Sequence, residues 1–289
     1  VVVTVLTQPA QGTVTYDAAT GKFTYTPNAG AGSTSTTDSF TYQIEDGDGD
    51  KSSATVTITL QADSVPVVKT VNHATVDEDG LSNANMDASP LLDTETDSTE
   101  SATDTKTLVV TYGNDVPADL LAAIKLSNAG LDTQLDALGG DVTWTLSTDG
   151  RMLTGSVGTT PVMTIAITGA SVTDAATGEV TYTYEVELLQ PVTHPENDNE
   201  DTVTLSDIGF TVTDKDGDPV SGKFNVSVVD DVPQAHADTA TQATEGAPIE
   251  IDALGNDEFG ADGVDTDNAP KVVVTVLTQP AQGTVTYDA

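Results

Sequence analysis

The sequence predicts an all-β protein made of tandem β-sandwich modules, and three observations support this fold class. First, apolar and polar residues alternate: in Thr55–Leu60 the even positions are apolar and the odd positions are threonine, which is typical of a strand with one buried face. Second, glycine, asparagine and aspartate occupy the turns between such stretches. Third, Val1–Ala18 recurs without a change as Val272–Ala289, at an offset of 271 residues, which indicates a tandem array.

Two short linkers divide the chain into three segments. Each linker, ADSVP at 62–66 and VDDVP at 229–233, places an acid and a proline after a predicted strand, and proline cannot continue a sheet ladder. We therefore expect residues 1–62 to be the C-terminal part of a split sandwich and residues 63–231 to be a complete, larger sandwich. Residues 232–289 are then the N-terminal part of the next split sandwich.

Period-two alternation places the individual strands. In the split module it predicts strands near 239–243, 248–253, 272–278, 283–287, 22–26, 39–45 and 54–60. In the middle segment it predicts strands near 107–112, 142–146, 161–168, 179–189, 208–213 and 223–229. One stretch, Pro117–Lys125, has Leu120, Leu121 and Ile124 on a single helical face, which predicts one short crossover helix.

The charge and the composition exclude several functions. The chain has 46 acidic and 9 basic residues, a net charge of −37, and such a surface repels both nucleic acid and anionic membranes. It has no cysteine for disulfides or thiolate chemistry, and no apolar run of the ~20 residues that membrane insertion needs. Val1–Leu6 has no features of a signal peptide. Because no nucleotide-binding or hydrolase motif is present, we expect no enzymatic activity.

Two hairpin tips carry the same D-x-D-G-D pattern. Their carboxylates are Asp46, Asp48 and Asp50 in the first segment and Asp214, Asp216 and Asp218 in the middle segment. Three carboxylates in one tight turn repel each other, and a hard cation with oxygen ligands at ~2.3–2.6 Å removes that cost. The pattern predicts calcium, although solvated Asp-Gly turns are the alternative.

A second set of acids lies at and near the linkers. It consists of Asp63, Asp77, Glu78, Asp79, Asp230, Asp231, Glu245, Asp252 and Asp257. A Ca²⁺ ion shared by acids from both sides of a boundary would stop adjacent modules from swinging, whereas magnesium prefers to keep its waters. The alternative is that these acids only solubilise flexible joints.

Histidines and aromatic residues give weaker signals. His73, His194 and His236 are scattered, so we expect them to be surface or packing residues rather than ligands of a transition metal. Trp144, Tyr182 and Tyr184 could form a sugar platform, and this keeps a calcium-dependent carbohydrate-binding module as the alternative function. A single tryptophan on a strand is more often part of a core.

Two parts of the chain resemble known families. The segments QPAQGTVTYD, GKFTYTP and DSFTYQIEDGDGD, with Asn256-Asp257, are similar to the cadherin-like tandem repeats of bacteria. The middle segment resembles the type I secretion target repeats of giant RTX adhesins. That resemblance is carried by Val76–Leu81, Val110–Gly113, Trp144 with Leu153–Gly155, Pro191–Pro195, and the segment from FTVTDKDGD to VVDDVP.

These resemblances imply immunoglobulin-like or cadherin-like sandwiches in the calcium-stiffened extender of a long adhesin. Such a protein is secreted by the type I system of a Gram-negative bacterium and stays at the cell surface, where it projects a distal binding region for cell adhesion or biofilm formation. The expected partners are neighbouring repeats of the same polypeptide. Because the split ends are complementary, two chains could also associate head to tail.

Overall fold

The computed structural model describes residues 2–28, 30–33, 35–82, 84, 101–194, 201–263 and 274–287, and it confirms a predominantly β architecture. The first segment contains β1 (Val2–Thr7), β2 (Gly12–Asp17), β3 (Lys22–Pro27), β4 (Thr37–Glu45) and β5 (Lys51–Thr59). A three-stranded sheet has the order β1-β4-β5, and β2 pairs with β3. The two sheets meet through Phe23, whose ring centroid lies 5.1 Å from those of Phe40 and Tyr42.

The middle segment forms a two-sheet sandwich. Its strands are β6 (Val67–Val71), β7 (Ala74–Asp77), β8 (Thr103–Thr111), β9 (Ile124–Ser127), β10 (Asp136–Ala137), β11 (Gly140–Asp141), β12 (Thr143–Leu146), β13 (Met152–Val157), β14 (Thr160–Asp174), β15 (Glu179–Leu188), β16 (Thr202–Thr213) and β17 (Pro219–Val229). One sheet has the order β12-β13-β14-β15-β8-β6, the other has the order β7-β17-β16-β9, and β10 and β11 form a small hairpin. The β7–β17 pair is parallel.

The core lies between the two sheets of this sandwich. Buried residues alternate along β15 and β17, because every second side chain of a strand points to the same face. Tyr184 from one sheet and Phe224 from the other are fully buried, and their ring centroids are 4.4 Å apart. The absence of a side chain at Gly222 leaves room for the Phe210 ring, because a Cβ at this position would lie 2.4 Å from Phe210 Cζ.

The predicted helix is present but shorter than expected. It spans Leu120–Ala123 (α1), and the Asp119 side chain accepts a hydrogen bond from the backbone N–H of Ala122. Ile124 was expected on the helix, but it begins β9 and pairs with Val212. Pairing with β16 and burial of Ile124 therefore override helix propensity. Within the described residues, no helix is long and apolar enough to cross a membrane.

The strands predicted after the second linker are wrong for the part that the structure describes. Residues 235–263 and 274–287 contain no strand, although 274–287 repeats the sequence of residues 3–16, which lie in β1, β2 and their connection. In the first segment β1 pairs with β4 and β2 pairs with β3, and the described tail offers no equivalent partner. An unpaired strand is not stable in water.

Truncation of Phe224 to alanine should destabilise the middle sandwich by about 3–5 kcal/mol, because it leaves a cavity between the sheets. Trp144 is the only tryptophan of the chain and is buried in this module, so its fluorescence in a denaturant titration reports this module alone. Val172→Ala, at an exposed position of β14, is the control and should stay within about 0.5 kcal/mol of the parent. Equal midpoints for the two variants would contradict this core assignment.

Candidate metal centres

A first group of carboxylates lies where the first linker enters the middle sandwich, and strand register explains it. In the antiparallel β6–β8 pair, Val67 is opposite Thr111. Asp63 precedes Val67 by four residues and Asp115 follows Thr111 by four residues, so both leave the same end of the pair. One carboxylate oxygen from each lies within 4.8 Å of the other and of a carboxylate oxygen of Asp216.

The tip of the β16–β17 hairpin completes this group. Thr213 pairs with Pro219, which leaves residues 214–218 as the turn. Asp214 Oδ1 accepts hydrogen bonds from the backbone N–H groups of Gly217 (2.9 Å) and Asp218 (2.7 Å). Ligand oxygens of Asp214, Asp216 and Asp218 also lie within 4.8 Å of one another. Because Asp216 belongs to both triads, they form one five-carboxylate cluster, which we call the entry cluster.

The entry cluster has the donor set that calcium requires. All of its side-chain ligands are oxygens, and Ca²⁺ takes 6–8 oxygen ligands in flexible geometry. Asp214 is only 6% exposed, and while its neighbour Asp216 is ionised its Oδ2 is buried without a hydrogen-bond partner in the described structure. Such an orphaned oxygen is costly unless a cation or a donor reaches it. The residues present therefore fit Ca²⁺, and they would hold it between the linker and the hairpin.

Crowding of negative charge raises the pKa of carboxyl groups in the entry cluster. A hydrogen bond with Asp214, desolvation, and the negative charges of Asp214, Asp63 and Asp115 raise the pKa of Asp216 to about 6. Burial, followed by the same three charges, raises the pKa of Asp218. A cation that bound this cluster would therefore compete with protons.

Polar contacts fix the linker beside the entry cluster. The Ser64 hydroxyl lies 2.7 Å from Asp115 Oδ2 and accepts a hydrogen bond from the Asn114 N–H at 3.0 Å. On the other side, a Cβ on Gly32 would lie 2.2 Å from the Gln61 carbonyl oxygen, so a loop of the first segment packs directly on the linker. A cation in the entry cluster would thus act at a joint between modules.

A second group lies at the opposite end of the sandwich, and parallel pairing explains it. In the β7–β17 pair, Asp77 is opposite Val229, so the next residues, Glu78 and Asp230, leave the sheet together. His194, after β15, joins them, with one ligand atom of each residue within 4.8 Å of the others. We call this trio the exit cluster. Glu78 Oε1 accepts a hydrogen bond from the Val192 N–H at 2.7 Å and lies 3.2 Å from His194 Nε2.

Burial and the contact between Glu78 and His194 together set the pKa values in the exit cluster. Desolvation raises the pKa of Glu78 and of Asp230. Burial lowers the pKa of His194, but the hydrogen bond with Glu78 and the charge of Asp230 outweigh it, so the net shift is upward. Next to this trio, Asp231 Oδ2 accepts a hydrogen bond from the Ala261 N–H at 2.7 Å, and the charge of Asp262 acts on Glu78 and His194.

The predicted ligand residues meet only in part. Asp63 joins the Asp214 hairpin, Glu78 meets Asp230, and Asp46, Asp48 and Asp50 converge at an exposed tip. Asp77 lies beside the exit cluster, where its Oδ1 accepts from the Asp79 N–H. Glu245, Asp252 and Asp257 enter none of these groups within the described residues; Asp257 instead accepts a hydrogen bond from the His236 N–H. Their role as ligands stays a prediction.

Sequence reasoning did not single out Asp115 of the entry cluster or Asp262, whose charge acts on the exit cluster. Both lie in loops without a repeated acidic motif, and only tertiary structure brings them to these positions. His194, for which the sequence predicts a surface or packing role, is a packing residue: its side chain is 3% exposed and contacts buried Glu78. The aromatic residues considered for a sugar platform, Trp144, Tyr182 and Tyr184, are all buried in the core, so they form no exposed surface.

The fold and its acidic joints define a class: a β-sandwich repeat with clusters of acids at module boundaries. A family model described as a bacterial cadherin-like domain matches residues 1–62. A second family model, described as a domain of unknown function (DUF5801), matches residues 73–227, more than half of the chain. The chain belongs to this second family. The cadherin-like match makes the first segment similar to extracellular repeats of the adhesion type.

Comparison with solved structures gives distant cadherin neighbours. Zebrafish RET cadherin-like domains 1 to 4 are 12% identical, with a TM-score of 0.29 over 78% of this chain and 39% of that chain. Extracellular cadherin domains 3–6 of protocadherin γB2 are 12% identical, with a TM-score of 0.17 over 79% of this chain and 66% of that chain. This chain therefore spans about two fifths of the RET structure. The comparison with curated proteins gives no match.

In a chelator, the Asp216 carboxyl should titrate near pH 6. The folded state then holds a proton that the unfolded state releases near pH ~4. The contribution of this group to stability is thus fully present below pH ~4 and is lost as the pH rises through about 6. Carbon-13 NMR of the carboxyl groups measures this pKa. Asp214→Asn should move it towards the ordinary range, whereas Asp207→Asn, an exposed site paired with Lys223, should not; no difference between the two variants would contradict the assigned cause.

Proposed function

We propose that this chain is a calcium-stiffened extender of a long extracellular adhesin, which projects a distal binding region for cell adhesion or biofilm formation. The observation that carries this proposal is the entry cluster. It combines a linker carboxylate, Asp63, with Asp115 and a hairpin of three aspartates, next to the contacts between the linker and the first segment. Reach and mechanical continuity are the tasks that such a joint serves.

Electrostatics gives the mechanism of stiffening. Without a cation, the five carboxylates repel each other, and this repulsion favours separation of the linker from the sandwich. Ca²⁺ would supply positive charge to these two triads, which share Asp216. Asp63 would contribute a ligand from the linker, Asp115 from the loop after β8, and Asp214, Asp216 and Asp218 from the β16–β17 turn. Rotation of the joint would then require loss of ligands.

The proposal includes a setting for the protein. Resemblance of the middle segment to repeats of giant RTX adhesins supports secretion by the type I system of a Gram-negative bacterium and a place at the cell surface. The large negative charge is in keeping with a calcium-rich exterior. Neighbouring repeats of the same polypeptide are the proposed partners, because residues 272–289 share their sequence with a segment that forms strands when β3 and β4 are present.

Calcium should raise the melting temperature reported by Trp144 fluorescence and should make the small-angle scattering profile more rod-like. At a calcium concentration 100 times Kd, one bound ion stabilises the folded state by about 2.7 kcal/mol. Asp216→Asn should lose most of the calcium effect, because Asp216 belongs to both triads of the entry cluster. It is exposed, so the variant should still fold.

Asp207→Asn is the matched control for the calcium experiment. It removes the same charge at an exposed position outside the clusters and should keep the calcium effect of the parent. If Asp216→Asn responds to calcium as strongly as this control does, the entry cluster is not the stiffening site. If the parent itself responds in neither measurement, the acids only solvate flexible joints and the calcium-stiffened extender is wrong.

The complementary ends also allow association between chains. The first segment already has its own β1 and β2, so the part of another copy that could complete it is the pair of strands predicted near 239–243 and 248–253. If they do so, the mass measured by sedimentation should rise with protein concentration. The association should disappear when a proline replaces Ile251, an exposed residue of the second predicted strand, because proline removes an N–H from the strand that would form. A mass that stays monomeric at all concentrations would contradict head-to-tail pairing.

A further inference from the structure

The exit cluster differs chemically from the entry cluster. The entry cluster offers carboxylate oxygens only, whereas the exit cluster combines two carboxylates with the imidazole of His194. Imidazole nitrogen is a ligand for zinc and neighbouring transition metals, and calcium selects oxygen donors. The difference in donor atoms therefore predicts a difference in the cation.

Buried polar atoms without partners point to a missing ligand. Glu78 is fully buried, and its Oε2 has no hydrogen-bond partner in the described structure. The His194 side chain is 3% exposed, and its Nδ1 is likewise unpartnered there. A neutral imidazole has one N–H and one lone pair. A metal ion bound at Nε2 would leave the ring proton on Nδ1, so the orphaned oxygen Glu78 Oε2 is the atom that calls for a cation.

We propose that Glu78, His194 and Asp230 form a binding site for a transition-metal ion of the zinc class. Zinc binds His nitrogen and carboxylate oxygen at ~2.0–2.2 Å, so tetrahedral ligands lie about 3.3 Å apart. Glu78 Oε1 and His194 Nε2 are 3.2 Å apart, and the three donors lie within 4.8 Å of one another. Three protein ligands leave a fourth position for water or a further oxygen.

The three ligands of the site come from three separate parts of the sandwich. Glu78 follows β7, His194 follows β15 and Asp230 follows β17, so β7 and β17 of one sheet and β15 of the other would be tied at the same end. The ligands are held in place, because the Val192 N–H donates to Glu78 Oε1 and the β7–β17 register fixes Asp230 beside Glu78.

This inference is independent of the proposed calcium function. Asp218 and Asp230 flank the two ends of β17, whose 11 residues span roughly 35 Å. The exit cluster can therefore be tested with the entry cluster saturated. Millimolar calcium throughout the experiment fills the oxygen-only sites and leaves the exit cluster to the added transition metal.

The experiment is a Zn²⁺ titration of the full chain, followed by NMR of ¹⁵N-labelled histidine. The chain has only three histidines, and His73 and His236 are both exposed. His73→Gln/His236→Gln therefore leaves His194 as the single reporter without a change in the core. Zn²⁺ should shift one ring nitrogen of His194 at a one-to-one ratio, with calcium present. Co²⁺ in place of Zn²⁺ should give the visible absorption of a nitrogen-ligated ion.

Substitution of His194 tests whether this residue binds zinc or only pairs with Glu78. His194→Gln should lower zinc affinity at least tenfold, whereas Asp207→Asn, at an exposed position outside both clusters, should leave it unchanged. Unchanged His194 resonances in the parent after addition of Zn²⁺ would overturn the proposal, and this test does not depend on whether a variant folds. Displacement of Zn²⁺ by calcium, or zinc binding that survives His194→Gln, would overturn it as well.

Discussion

Pairing along β17 is the constraint on which the rest of the middle module depends. This strand is antiparallel to β16 and parallel to β7, and its buried side chains, with Phe224 among them, face the aromatic residues of β15. The same strand begins just after Asp218 and ends just before Asp230. Its register thus sets the core and places acids at both ends of the module.

Like charges at the module ends act against folding and make the joints responsive. A sandwich with no competing task would place these aspartates apart, in water. Here the carboxylates of Asp214, Asp216, the Asp63 linker and the loop at Asp115 converge, so charge repulsion and the raised pKa of Asp216 act at this joint. The stability of the core, which apolar burial provides, is a separate property.

The two ends of the sandwich differ in the donor atoms that they bring together. At the entry end, a hairpin and a linker bring together carboxylate oxygens only. At the exit end, parallel pairing fixes two carboxylates beside a buried imidazole. An array built from such units would have joints of two kinds, and each would respond to a different ion.

The sequence by itself determined the linkers, the acidic hairpins and part of the strands, because alternation and turn chemistry are local; it did not determine β6, β7 and β13. It also determined a local pair of hydrogen bonds that is present in both copies. The Gln8 side chain accepts from the N–H of Val14 and donates to its carbonyl, and Gln279 makes the same two bonds with Val285. Only tertiary structure decided which copy forms strands, since the β1 and β2 residues need β4 and β3 as partners. It also brought Asp115 to Asp63 and His194 to Glu78, because strand register and the meeting of two sheets are properties of distant parts of the chain.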